Sequence, residues 1–294
     1  MSDTENAPVR WSVEQRLAFI ERRLFWDGKI NRSDLVDHFS ISTPQASSDL
    51  SQYDEVARGN MAYDKHAKAY LVTEEFHPRA EPNAREYLAQ LQLIADGVLR
   101  QQESWLGWVP PFGLVPRVRR KLGADVLQSI LGAIRSGLAL NIEYQSMSAQ
   151  RPSLRWIVPH ALSFDGYRWH VRAWCHRRNK FLDFVLARIL VVESTREEKI
   201  DPATDRAWNE TTVLRLGPNP LLPPAQQKAI ALDFGMQGDS VPVEVRRSLV
   251  YYLARQLLLD VSNTLPPERV QVILLNLDEV NEDLESVGEA KIGA

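Results

Sequence analysis

The sequence predicts an α+β multidomain chain: an N-terminal winged helix-turn-helix, a central small β-barrel of the Sm or SH3 type and a C-terminal α+β extension. Three observations carry that prediction. Three short helical periodicities at the start are followed at once by a basic hairpin pattern, Asn60 to Val72. About five period-two stretches then crowd between Leu138 and Val192, the strand count of a small barrel. Beyond them helix and strand patterns alternate. The expected boundaries are 1–78 for the winged helix-turn-helix, 79–122 for a connecting helix and linker, 123–195 for the barrel and 196–294 for the extension.

Composition narrows the function classes. A chain of 294 residues, 44% hydrophobic and with net charge −3, sustains two or three packed cores rather than a disordered ensemble. The single cysteine, Cys175, falls on the apolar side of a predicted strand, which argues against a disulfide framework or thiolate zinc site and fits a reducing compartment. It reads as a packing residue. No stretch reaches the length of a membrane span and the polar start MSDTENAPVR has no apolar signal core, so a soluble, cytoplasmic protein with no membrane partner is expected. Mild overall acidity does not exclude nucleic acid, because a locally basic surface is what binds it. P-loop, dinucleotide, nucleophile-elbow, HExxH and paired-cysteine patterns are all missing, and the six histidines are scattered. No catalytic residue, metal ligand or cofactor is expected, so the chain reads as a non-enzyme.

Ser12 to Phe25 gives the first helix, with Ser12 as the candidate N-cap and Val13, Leu17, Ile20 and Leu24 at helical spacing; Asp27-Gly28 ends it. A second, short helix runs from Arg32 or Ser33 to Phe39. The third opens at Ser42 or Thr43 and carries Pro44 in its first turn, where the missing N–H costs nothing. Helix, tight turn, helix is the arrangement that lays a second helix in a DNA major groove. The exposed face of the third helix holds Thr43, Gln45, Ser47, Ser48 and Gln52, short polar groups suited to base edges or phosphates. It carries no Arg or Lys, and a purely packing three-helix module stays open on these residues alone. The next element favours DNA: Met61 to Tyr63 and Ala69 to Val72 flank a turn with Lys65, His66 and Lys68, a wing able to anchor phosphates.

His77-Pro78 closes this domain, and Asn83 to Gln101 reads as a connecting helix with an apolar stripe. Trp105 to Pro116 reads as an ordered linker, rich in Trp, Pro and Gly. Arg117, Arg119, Arg120 and Lys121 form a basic cluster, read first as a solvated linker face and second as an interdomain or phosphate contact. A helix over Asp125 to Ser136 leads into strands Leu138 to Ser146, Leu154 to Phe164, a hairpin turning at Asp165-Gly166, and Phe181 to Val192. After that turn, Tyr167, Trp169, Val171, Ala173 and Cys175 share one face of the ribbon, and Arg168, His170, Arg172 and Trp174 the other. The second face carries no acid. It is either an exposed barrel wall with Arg on Trp174, or an anion site, since guanidinium forks grip phosphate and aromatic rings stack on bases.

Four motifs in order, YQS at Tyr144 to Ser146, RWIVPH at Arg155 to His160, RWHVRAWC at Arg168 to Cys175 and FVLARI at Phe184 to Ile189, resemble WYL-domain transcription regulators. Trp169-His170-Val171 stands where the family has Trp-Tyr-Leu, with His in place of Tyr. The resemblance implies an Sm-like barrel and places Tyr144, Ser146, Arg155, His160, Arg168, His170, Arg172 and Arg188 around a ligand patch. Beyond Val192 the charged run STREEKID separates the barrel from strand, helix, strand, helix and strand patterns at Thr211 to Leu216, Ala225 to Phe234, Val241 to Arg247, Leu249 to Leu259 and Val270 to Leu275. An acidic tail from Asp278 reads as frayed surface structure. This domain order resembles the repressors of phage-defence operons of the BREX and CBASS kind. The expected partners are double-stranded operator DNA with inverted half-sites, a second copy of the chain, and a nucleotide or single-stranded nucleic-acid effector. An Sm-like RNA-binding or RNA-processing protein is the alternative.

Overall fold

The computed structural model describes residues 7–116, 118, 120–261 and 264–293, and for 7–12 the backbone alone. The chain divides into two compact units, Met1–Arg117 and Val118–Ala294. Arg117 and Arg119 of the basic cluster lie outside the described residues, as does the side chain of Ser12.

The first unit opens with α1 (Ala7–Asp27), the two-residue β1 (Lys29–Ile30), α2 (Arg32–Phe39) and α3 (Thr43–Val56), followed by β2 (Met61–Asp64) and β3 (Ala69–Val72). α1 starts five residues before Ser12, with Pro8 in the first turn, where its ring is pre-set for a helix. Asn31 and Asp34 form a reciprocal capping box on α2, and Ser40, at φ +53°, turns the chain sharply into α3. Leu17, Ile20, Leu24, Leu35, Leu50 and Tyr53 are fully enclosed and bury the faces of the three helices against one another. β1 is too short to leave a periodic trace in sequence, yet it pairs with β3, which pairs with β2, giving a three-stranded sheet in the order β1-β3-β2. α4 (Ala84–Ala95) is shorter than the stripe to Gln101 predicts, because Asp96 ends it and Gly97 takes the left-handed conformation at φ +67°.

α3 is fixed by a buried ion pair. Arg16 of α1 donates to both oxygens of Asp49, Nε to Oδ2 at 2.6 Å and Nη2 to Oδ1 at 3.0 Å. Glu21, also on α1, receives the Tyr53 hydroxyl at 3.2 Å and the backbone N–H groups of Arg79 and Ala80. Burial, eased by the Asn60 hydrogen bond, holds the Tyr53 phenol up at about 12. One helix thereby sets both the rotation of α3 and the path by which the chain leaves the sheet.

The second unit begins with α5 (Ala124–Ser136), capped by Gly137 at φ +64°, and the strands β4 (Leu138–Tyr144), β5 (Ser153–Phe164), β6 (Trp169–Cys175), β7 (Lys180–Val185) and β8 (Ile189–Glu197). The sheet order is β7-β6-β5-β4-β8: the chain leaves β7 through a 3-10 turn, Leu186–Arg188, and returns antiparallel to β4. The first strand, β4, thus lies between β5 and the last strand, β8, and β7 and β8 stand at the two edges of the sheet. The predicted single strand Phe181 to Val192 is broken by that turn. The start of STREEKID is strand rather than separator, because β8 is a sheet edge whose outward side chains stay in water. The hairpin after β5 closes on Asp165 and Arg168, with Gly166 and Tyr167 at its centre, one residue later than the sequence predicts; Gly166 supplies φ +90°.

α6 (Arg206–Asn209), β9 (Thr211–Pro218), α7 (Pro224–Asp233), β10 (Val241–Arg246), α8 (Val250–Gln256), β11 (Val272–Leu274) and α9 (Leu277–Ser286) complete the unit, with sheet order β10-β9-β11. The acidic tail is not frayed. It folds as α9, because Val280 and Leu284, one turn apart, are buried in the same core as Leu214, Val250 and Val272.

Removing one partner of a buried ion pair strands the other charge in the core. Arg16→Ala is therefore expected to destabilise the first unit by about 3–5 kcal/mol. Arg16→Met with Asp49→Leu should recover most of the loss, measured by denaturant unfolding; equal stability of Arg16→Ala and wild type would show that the pair carries no weight.

Candidate nucleic-acid interface and effector site

On α3 the N-cap Ser42 accepts from the Gln45 N–H at 3.3 Å, and Ala46, Asp49, Leu50 and Tyr53 turn inward. The outward face then holds Thr43, Gln45, Ser48 and Gln52, all exposed, with Ser47 half-buried at its margin. Local bonds divide them. Gln45 Nε2 donates to Asp49 Oδ1 at 3.0 Å, and the Ser47 hydroxyl donates back to the Thr43 carbonyl at 3.0 Å. Gln45 thus offers mainly its side-chain carbonyl, and Ser47 little. In the wing, Asp64 Oδ1 accepts from the backbone N–H groups of His66 (2.7 Å) and Ala67 (2.9 Å), folding the turn so that Lys65, His66 and Lys68 stand in solvent. Helix face and wing present short hydrogen-bonding groups and exposed cations, the kinds of group that base reading and phosphate anchoring use.

The eight residues placed around the barrel do not form one patch. His160, Arg168, His170 and Arg172 fall into a cluster closed by carboxylates. Arg172 and His170 are each only 3% exposed, so the face that shows no acid in local sequence is not a cationic surface. Arg172 donates Nε to Asp205 Oδ2 (2.8 Å), Nη2 to Asp205 Oδ1 (2.9 Å) and Glu289 (3.2 Å), and Nη1 to Asp183 (3.5 Å). His160 Nε2 lies 2.9 Å from Asp205 as well. A bulge carries it there: between Pro159 and Ala161 the β5–β6 register slips by one residue, turning His160 toward α6, whose N-cap is Asp205. Arg168 and His170 both bind Asp165, and Gln256 of α8 donates to the Asp165 carbonyl at 2.8 Å. The Tyr252 hydroxyl, also from α8, donates to Asp183 at 3.0 Å.

The titration of these groups follows from competition between burial and pairing. Burial works to raise the Asp205 pKa, but hydrogen bonds from Arg172 and His160 and the Arg172 charge outweigh it and leave the carboxyl at about 2. Burial likewise opposes ionisation of Asp165, yet its bonds from Arg168, His170 and two backbone N–H groups hold it well below the usual carboxylate range. For Asp183 and Glu289 burial wins, and both pKa values lie above normal despite Arg172.

The other four residues make no bond to a carboxylate among the described residues, and Ser146 Oγ lies 2.9 Å from Ser148 Oγ. The Tyr144 hydroxyl accepts from the Val185 N–H at 3.2 Å, and the Arg155 guanidinium lies 5.1 Å from the Tyr144 ring centroid. Arg155 Nη2 donates to Ser153 Oγ at 3.3 Å, an oxygen that Arg177 also reaches at 3.2 Å, while Arg155 Nε is buried without a hydrogen-bond partner. Gln145 N–H donates to the Arg188 carbonyl, which sets Arg188 beside the Gln145-Ser146 loop. Among the described residues, neither Arg155 nor Arg188 pairs with a carboxylate. Asp183, five residues before Arg188, is bound by Arg172 and Tyr252.

Family comparison follows the same division. The BrxR transcriptional regulator winged helix-turn-helix domain matches residues 12–93, the WYL domain 125–194, and the BrxR transcriptional regulator C-terminal dimerization domain 211–280. These define the class, a winged-helix WYL transcriptional regulator rather than an enzyme. Proteins named DNA-binding transcriptional repressor CapW match almost end to end. The one from Stenotrophomonas maltophilia is 40% identical, covering 96% of this chain and 95% of the relative. Those from Pseudomonas aeruginosa (93% and 92%) and Escherichia coli strain KTE188 (92% and 92%) are each 42% identical. The chain belongs to the CapW family of winged-helix WYL regulators. Among the described residues no helix is long and apolar enough to cross a membrane.

Two of the three acids around Arg172 arrive from 33 and 117 residues away, beyond the reach of local sequence; Asp183, 11 residues on, is its cross-strand partner in β7 and was open to a hairpin register argument. Asp205 carried one local signal, an acid immediately before a short helical turn. Two outcomes follow. Arg172→Ala is expected to destabilise the second unit by about 3–5 kcal/mol, because three carboxylates lose their common cation. Asp205, its pKa depressed from 3.8 to about 2, contributes stability that is present above 3.8 and lost as pH falls toward 2, whereas raised Asp183 and Glu289 are relieved by acid. Melting of the full chain at stepped pH should thus show this unit holding until below pH 3.8, and Asp205→Asn should erase that acid limb. On α3, Ser48→Ala and Gln52→Ala should cost discrimination at particular base pairs, up to about 1–3 kcal/mol per good bidentate contact. Gln45→Ala should cost less, since Asp49 holds its amide; equal losses on operator and random duplex for all three would remove α3 from base reading.

Proposed function

We propose that the chain is a cytoplasmic, homodimeric repressor of a phage-defence operon, which binds an inverted-repeat operator through α3 and the wing. A polyanionic effector, a nucleotide or a short single-stranded nucleic acid, binds the barrel at Tyr144, Ser146, Arg155 and Arg188 and relieves repression. The relatives' names support repression of transcription, and the matched C-terminal dimerization domain supports pairing of two copies so that two helix-turn-helix units read two half-sites. One observation carries the effector reading: the Arg155 guanidinium lies over the Tyr144 ring and, like Arg188, pairs with no carboxylate among the described residues, whereas Arg172 is bound by three. Phosphate with a base fits that inventory better than a fatty acid or a cation.

A contact chain leads from this site toward the C-terminal domain. Tyr144 receives the Val185 N–H, and Asp183, two residues back on β7, holds both Arg172 and Tyr252. An effector that displaces Tyr144 displaces β7, and gating then needs only that it bind one arrangement more tightly than the other.

The test is operator binding by fluorescence anisotropy, with a duplex from the chain's own upstream region, in the presence of single-stranded DNA, single-stranded RNA or cyclic oligonucleotides. One of these should weaken operator binding by the wild type, and Arg155→Ala or Arg188→Ala should abolish that response while leaving operator affinity within a few-fold. If all three probes leave the wild type unaffected, or if the variants respond as the wild type does, the barrel is not an effector site.

A further inference from the structure

The face of the first unit that carries the wing also carries a cation that neither the helix-turn-helix reading nor the wing explains. β1 runs antiparallel to β3, with Lys29 opposite Leu71 and Ile30 opposite Tyr70. Asn31 is still extended, at φ −128° and ψ 172°, so it continues the strand by one step, level with Ala69, before α2 begins. Arg32, the first residue of α2, therefore leaves the sheet at the level of Lys68, about one to two interstrand spacings away, ~5–10 Å. Lys68, at φ +50°, immediately precedes β3, the strand that β1 pairs with.

Lys29, Arg32, Lys65 and Lys68 are all exposed. Among the described residues none of them pairs with an acid, although many other arginines of the chain do. The nearest acids are already occupied: Asp34 caps α2 and pairs with Arg23, and Asp64 folds the wing turn through two backbone bonds. The opposite end of α3 has the contrary charge. Its first turn has no acid, whereas Asp54 and Glu55 stand exposed in its last.

We infer that Arg32 is a phosphate anchor that continues the wing's cationic row across the start of α2, and that the duplex is gripped at the N-terminal half of α3 with its acidic last turn held off the backbone. Lys29, further along the same row, serves the same strand more weakly. The partner is the sugar-phosphate backbone and not a base, because a lone cation at the edge of a row gives a point charge without sequence information. The asymmetry predicts that Arg58, exposed just beyond the acidic end of α3, contributes nothing.

The experiment measures affinity of the full-length protein for the duplex of its own upstream region and for a random duplex of equal length, across a salt series. A lost phosphate contact lowers the slope of log K against log salt by ~0.9 and weakens binding roughly fivefold at ~0.15 M salt. Arg32→Ala should show that loss by the same factor on both duplexes, with an unchanged melting temperature and partial rescue by Arg32→Lys. Arg58→Ala should leave the slope alone. An unchanged slope in Arg32→Ala overturns the inference, as does an equal fall in Arg58→Ala, which would mean a diffuse cationic field. If the wild type binds neither duplex, it is the DNA-binding assignment itself that fails.

Discussion

The second unit is built around one guanidinium. Arg172 sits in the middle of β6, where a cation stripped of water and left alone would cost several kcal/mol. It is tolerated because Asp183 from β7, Asp205 before α6 and Glu289 after α9 converge on it. Burial alone would lower the Arg172 pKa; the Asp205 hydrogen bonds and the surrounding carboxylates more than reverse that, so it stays charged. The acids need the cation as much as it needs them. Three carboxylates against one arginine leave Asp183 and Glu289 undercompensated, and burial holds both pKa values above normal. Strand, helix cap and chain end are thereby tied to one atom group, which aligns the barrel with the C-terminal domain in a way that apolar packing, being non-directional, does not.

The same cluster shows where sequence reading stops. Order and type of most elements were legible, because amphipathic helices and alternating strands print their periods on neighbouring residues: Leu17, Ile20 and Leu24 on α1 are buried as their spacing requires, and so are Val171, Ala173 and Cys175 on β6, although Tyr167 and Trp169, expected on the same face, are exposed and His170 and Arg172 of the other face are buried. Pro44, the wing turn and the Gly166 hairpin were legible for a related reason, since each solves a backbone problem within a few residues. The two-residue β1 was not, having no room for a period. The burial of α9 was missed because acids dominate its composition, while Val280 and Leu284 alone decide which side faces the core.

Charge is the least legible quantity of all. Arg168, His170 and Arg172 alternate into and along β6, Arg155 lies on β5 and Arg188 in the 3-10 turn before β8, and no charge pattern in the local sequence separates the two sets. What separates them is whether tertiary structure brings a carboxylate. For Arg172 it brings three, and for Arg155 a tyrosine ring and a serine hydroxyl. A motif-level match therefore gathered eight residues that the fold sorts into two chemical kinds. The α3 face obeys the same logic on a smaller scale, where Asp49 claims the Gln45 amide and leaves Ser48 and Gln52 as the freer groups.

That sorting bears on how a regulator of this design can respond to anything. Moving a two-state equilibrium from 1:99 to 99:1 needs a difference in effector affinity of about 10⁴-fold. A site whose cation is already saturated cannot supply it through charge, since a phosphate there would have to displace Asp205 from a bidentate, desolvated pair. In the proposed gating, Arg155 and Arg188, which pair with no carboxylate among the described residues, would be the groups that gain a partner from an anion, and the Arg172 cluster would stay intact. Under that proposal a displacement at Tyr144 would reach Asp183 and Tyr252 of α8 along β7, because Tyr144 holds the Val185 N–H and Asp183, two residues back, accepts from the Tyr252 hydroxyl.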